Sequence, residues 1–141
     1  MSILRSRKVY IILLAVYVVV LVCSAIVCRE TRETEQIMRD LFWGWHNTRQ
    51  MLWSNIINIA AFIPVGLLIG MIVPRYKLLV ALLAGMFLSE TFECFQLILR
   101  RGVFDVDDLF NNVVGALIGG LIAAVVFWFN KKHKSRAECI R

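Results

Sequence analysis

Four apolar runs, each near or above the roughly 20 residues a helix needs to cross hydrocarbon, occupy about residues 9–28, 51–73, 78–99 and 109–129 of a 141-residue chain. The interruptions are too short for a separate soluble domain. Composition agrees: 60% of residues are hydrophobic and the mean hydropathy is +0.73, far above a soluble domain of this size. The chain therefore reads as all-α, a polytopic membrane bundle of four transmembrane helices forming one domain over residues 1–141. Lipid bilayer is its first partner.

The first run follows Arg5, Arg7 and Lys8, as a signal peptide would, but it is too long for a typical apolar signal core and ends without a small-x-small cleavage site. It reads as a retained anchor. Ten of the 16 basic residues (Arg5, Arg7, Lys8, Arg75, Lys77, Lys131, Lys132, Lys134, Arg136, Arg141) fall on one side if the spans alternate. The other side holds six, offset by Glu30, Glu33, Glu35, Asp40, Asp105, Asp107 and Asp108. The positive-inside rule then places both termini of a multi-pass protein in the cytoplasm. Because the bases hug the span ends, the net charge of +6 is a topology signal and excludes a nucleic-acid footprint.

Residues 29–50 form the one sizeable loop. Ile37, Leu41 and Trp45 recur at i, i+4, which predicts a short amphipathic helix at about 33–47 lying in the outer interface, with Trp43, Trp45 and Trp53 at headgroup depth. The four cysteines form no CxxC pair and read as small packing residues.

Within the apolar background the polar residues stand out. Glu90 and Glu93 sit inside the third span, where a charge costs several kcal/mol unless paired, neutralised or used. By the alternating topology Glu93 lies roughly 8–9 Å below the outer surface, with Glu90 one turn deeper. Asp108, Asn111 and Asn112 open the fourth span and Asn55 and Asn58 the second, all on the same side. Ser89, Glu90, Glu93, Gln96 and Arg100 share one arc of the third helix. Asp108, Asn112, Gly115, Gly119 and Ala123 share a stripe of the fourth. Gly115 with Gly119 and Gly66 with Gly70 are GxxxG pairs, which let helices approach closely. The expectation is that this packing presses Asp108 and Asn112 against Glu93 and Gln96. Pro64 deprives the carbonyl of Ala60 of its donor and is expected to bend the second span.

These residues carry a resemblance. Glu93-Cys-Phe-Gln96, Arg101, Asp105-Val-Asp-Asp108, Asn112, Gly115 and Gly119, preceded by Asn58, Phe62, Pro64 and Gly66, resemble in order and spacing the VanZ-like family of small integral membrane proteins. The likeness covers about residues 55–120. Glu90, Asp107 and Asn111 lie outside the pattern. The resemblance implies a part in resistance to teicoplanin-type (lipo)glycopeptides, or another cell-envelope function, and attaches no reaction.

Three functions remain open. In the first, the polar groups Glu93, Gln96, Arg101, Asp105, Asp108, Asn112, Asn58 and Glu90 form an outward-facing site that binds a lipid headgroup, an amine, a cation, a cell-wall precursor or a glycopeptide. In the second, Glu93, Asp105 and Asp108 hold a divalent cation, since carboxylates suit Mg²⁺ or Ca²⁺, and the protein is a metal-assisted enzyme acting on a lipid-linked substrate. No His, Ser or Cys makes an evident nucleophile–base pair with these acids. The third is a small proton- or cation-coupled transporter, weakened by the lack of an acid on the inner half. Against all three stands plain structure: interhelical hydrogen bonding by Glu93 and Gln96, and capping of the fourth helix by Asp107 and Asp108. The GxxxG pairs leave dimerisation open.

Overall fold

The structure, a computed structural model, describes residues 3–27, 37–38, 42, 49–99 and 104–139. Four helices carry it: α1 (Ile3–Val27), α2 (Arg49–Ile72), α3 (Lys77–Ile98) and α4 (Val106–Cys139). All four are long and apolar enough to cross a membrane. The second and third apolar runs end within two residues of α2 and α3, and α1 begins six residues before its run; lipid leaves no partner for unpaired backbone groups and so keeps a spanning segment helical. At its far end α4 departs from the expected span, running 34 residues, about 51 Å at 1.5 Å per residue. It overshoots the roughly 30 Å hydrocarbon core and carries its basic tail beyond.

Successive helices alternate in direction, so α2 and α4 run parallel and form the tightest seam. Both GxxxG pairs lie in it. A Cβ built on Gly66 would fall onto the carbonyl oxygen of Ala116, one on Gly119 onto that of Ile63, and one on Gly115 onto that of Ile59. Only glycine admits this approach of backbone to backbone. The α3–α4 seam is also close: a Cβ on Gly85 would come 2.6 Å from the Ala116 methyl, and one on Gly120 2.8 Å from that of Ala81. Phe62, Val65, Ile69, Phe92 and Ala116 fill the core between the three helices.

The α2–α3 hairpin turns through Pro74, with Tyr76 left-handed at φ 53°. Lys77 donates to the carbonyls of Gly70 and Val73, both at 2.5 Å, and stands 4.1 Å from the Phe127 ring centroid. Arg7 donates to the Ile72 carbonyl at 2.9 Å. Two cations thus meet the open carbonyls at the C-terminal end of α2, where the helix dipole favours positive charge.

No residue of α1 within Arg7–Ser24 is buried. It leans on α2, held by Arg7 and by Tyr17, whose hydroxyl donates to the Ala61 carbonyl at 2.9 Å, and it touches α3 only lightly. Pro64 does not interrupt α2, which stays helical from Arg49 to Ile72.

At the opposite end of the bundle from these cations, two residues of the α1–α2 loop are extended. β1 (Ile37–Met38) pairs in parallel with β2 (Phe104–Asp105), Ile37 opposite Phe104 and Met38 opposite Asp105. The interfacial helix expected at about 33–47 is therefore not helical at these two residues: their backbone pairs with the chain entering α4. Apart from Ile37, Met38 and Phe42, that segment lies outside the described residues. Phe42 adopts φ 67°, an uncommon conformation for a bulky residue. Its N–H donates to Asp107 at 2.5 Å and its ring meets Phe110 edge-on at 5.4 Å. The loop is thereby strapped over the first turn of α4.

Candidate functional site

The buried face of α3 runs Ala81, Gly85, Ser89, Phe92, Glu93 and Gln96. Its first two members pack on α4, so the same helical stripe carries Glu93 and Gln96 inward toward the β-bridge end. Glu90 lies off the stripe and is exposed on the outer surface of the bundle. It does not join the cluster, contrary to the sequence expectation, because one residue step is 100° of helix.

Among the described residues eight polar ones are buried, all in the same half of the bundle: Asn55, Ser89, Glu93, Gln96, Asp107, Asp108, Asn111 and Asn112. Their hydrogen bonds tie three helices. Asn58 of α2 donates to Asp108 of α4. Asn112 of α4 donates to the Ser89 hydroxyl of α3 at 2.8 Å. Glu93 of α3 accepts the backbone N–H of Asp105 at 3.1 Å. Asp105 in turn accepts the N–H of Asp107 at 2.9 Å, as an N-cap residue does. The cap of α4 is thus Asp105, while Asp107 and Asp108, candidates for that role from sequence, turn inward.

The partners also differ from those expected. The Gly115–Gly119 stripe packs on α2 and not on α3, so Asp108 meets Asn58, and Asn112 reaches α3 one turn deeper, at Ser89. Glu93, Gln96, Asp108 and Asn112 nonetheless surround one chamber of about 300 Å³. Asn58, Ser54 and Ile57 complete its α2 wall, Leu21 and Ser24 of α1 close the side, and Phe62 and Phe92, edge-on at 5.9 Å, form the floor. Asp105 supports the chamber through Glu93 without lining it. Arg101 lies outside the described residues. Among those residues, no three His, Cys, Asp or Glu side chains are grouped to hold a metal ion, so Glu93, Asp105 and Asp108 do not form the ligand set considered from sequence.

Several buried amide atoms have no partner among the described residues: Gln96 Oε1, Asn55 Nδ2 and both Asn111 Nδ2 and Oδ1. An unmade bond at a buried polar atom costs about 1–3 kcal/mol. An interhelical hydrogen bond in a membrane contributes only about 0.6 kcal/mol. These amides therefore cost more than one such bond gains, and plain interhelical hydrogen bonding does not account for them. Gln96 Oε1 belongs to a residue lining the chamber; Asn111 lies on the α2–α4 seam, where the register that sets Gly115 at Ile59 and Gly119 at Ile63 brings it level with Asn55.

A sequence model of the VanZ/LLP1 family matches residues 9–128. The chain belongs to that family. Comparison with curated proteins and with solved structures gives no match. The VanZ/LLP1 match takes in α1, α2, α3 and the membrane part of α4, and so all the residues around the chamber.

Sequence reasoning left four deeply buried polar residues out of the site: Ser89, Asp107, Asn111 and Asn55. For Asn111 and Asp107 the signal was available. They precede Gly115 by four and eight residues, which sets them on the small-residue face that packs.

Proposed function

We propose that this VanZ/LLP1 protein is a binding protein of the bacterial plasma membrane that protects the cell envelope against teicoplanin-type glycopeptides. In this reading both termini are cytoplasmic and the chamber opens at the outer face. It takes the hydrogen-bond-donating or cationic head of a lipid, an amine or an envelope precursor. The observation that carries it is the chamber of about 300 Å³ whose lining includes Glu93, Gln96 and Asp108. Glu93 and Asp108 as carboxylates only accept, Asn58 and Asn112 already donate within the site, and Gln96 presents an unpartnered buried oxygen. A ligand that donates satisfies that oxygen. Below the Phe62–Phe92 pair the core is apolar, which supports a binding chamber over a polar path through the bundle.

The test is a susceptibility assay on cells expressing equal amounts of each variant. Glu93→Gln and Asp108→Asn keep shape and remove charge, and abolish protection. Glu90→Gln, on the outer surface, keeps it. Full protection with both acids neutralised would reduce the cluster to interhelical bonding.

A further inference from the structure

A second cavity lies directly under the chamber. It measures about 670 Å³ and is lined on α1 by Ile11, Leu14 and Val18 and on α3 by Val80, Ala84 and Leu88, with the end of α2 as its floor. The two cavities are stacked along one cleft. On α1 the lining passes from Val18 to Leu21, and on α3 from Leu88 to Phe92, each a single turn. The cleft exists because α1 leans on α2 and barely touches α3. From Glu93 to Val80 it runs about 20 Å along α3. Its upper end is acceptor-rich and its lower lining is wholly apolar side chains, and both volumes fall in the roughly 300–1,000 Å³ range of small-molecule sites.

We infer that the ligand of the chamber is an amphiphile with an alkyl chain of lipid length, which enters sideways between α1 and α3, seats its donor-bearing head among Glu93, Gln96 and Asp108, and lays its chain in the apolar groove. This rests on the binding reading above and names the ligand class. The head determines selectivity, because moving a chain from bilayer to groove exchanges one apolar surrounding for another. The groove fixes the pose.

The test uses the full chain in phosphatidylcholine nanodiscs and hexadecylamine carrying a diazirine near its chain end, with labelled residues mapped by mass spectrometry. Labelling is expected to concentrate on Ile11–Val18 and Val80–Leu88, to be competed by hexadecylamine but not by hexadecyl sulfate, and to fall severalfold in Asp108→Asn and in Ala84→Trp. The mapping and competition on the unaltered chain decide the matter if Ala84→Trp does not fold. Propylamine binding, followed by its effect on the NMR signals of a side-chain-labelled Gln96, reads the chamber alone. If propylamine binds and the alkyl probe labels all lipid-facing residues evenly, Leu121–Phe129 included, the chain has no groove and the inference fails while the chamber reading stands. If neither amine binds, both fail. If a second copy of this chain fills the groove, cysteines placed at Leu14 and Phe87 cross-link between copies and the probe does not label there, which also overturns the inference.

Discussion

Asn112 of α4 donates to the Ser89 hydroxyl of α3 at 2.8 Å, between two helices that also meet one turn further on through Gly85 and Ala116. A double-mutant cycle of Ser89→Ala and Asn112→Ala, read by unfolding in detergent, is expected to give a coupling energy near the average of about 0.6 kcal/mol for such bonds and below their maximum of about 1.7. No coupling would place the two side chains apart.

The α2–α4 seam makes a sharper forecast. Gly119→Ala puts a methyl group on the carbonyl of Ile63, and Gly66→Ala puts one on that of Ala116. Since backbone must move to admit either, each is expected to cost about 1–3 kcal/mol. Ile118→Ala, at an exposed position on the same helix, is the control and costs less than either. Thermal melting of the three purified variants ranks them.

Asp105 caps α4 through the N–H of Asp107. Asp105→Ala is expected to lose about 1 kcal/mol of stability, while Asp105→Asn, which keeps an accepting oxygen, loses much less. If both variants lose protection in the susceptibility assay while only the first is destabilised, the charge at 105 matters beyond the cap.

Topology is tested by labelling. On a cysteine-free background, Glu33→Cys and Val103→Cys are expected to react with an impermeant thiol reagent in intact cells, and Lys134→Cys is expected to stay unreactive. Reaction at position 134 from outside would invert the bundle and turn the chamber inward.

Span positions were legible because hydropathy and helix length are one constraint in lipid: four runs read from sequence became four helices. That Glu93, Gln96, Asp108, Asn112 and Asn58 meet was legible from alternation of direction, which carries all five to one end. Which seam joins which pair was not. A GxxxG stripe states that something comes close and not what, and here α2 took the place expected of α3. Glu90 was misplaced because the arc through Ser89, Glu93 and Gln96 was extended to its side, whereas the buried stripe of α3 extends the other way, toward Phe92 and Ala81. At Ile37 and Met38 an i, i+4 pattern suggested helix where the backbone instead pairs with the strand before α4; local periodicity is a weak guide where a distant segment supplies the hydrogen bonds.

The loose seating of α1 has a consequence for synthesis. It leaves the ribosome before α2, when the α2 surface on which it rests does not yet exist. It must wait surrounded by lipid. From Ile11 to Ser24 it carries almost no group that lipid would penalise, and the Ser24 hydroxyl is satisfied within its own turn, on the carbonyl of Leu21 at 2.9 Å. Only the hydroxyl of Tyr17 is left to find a later partner, at Ala61. The same plainness that leaves α1 without a buried residue between Arg7 and Ser24 lets it be made before the helix it docks on.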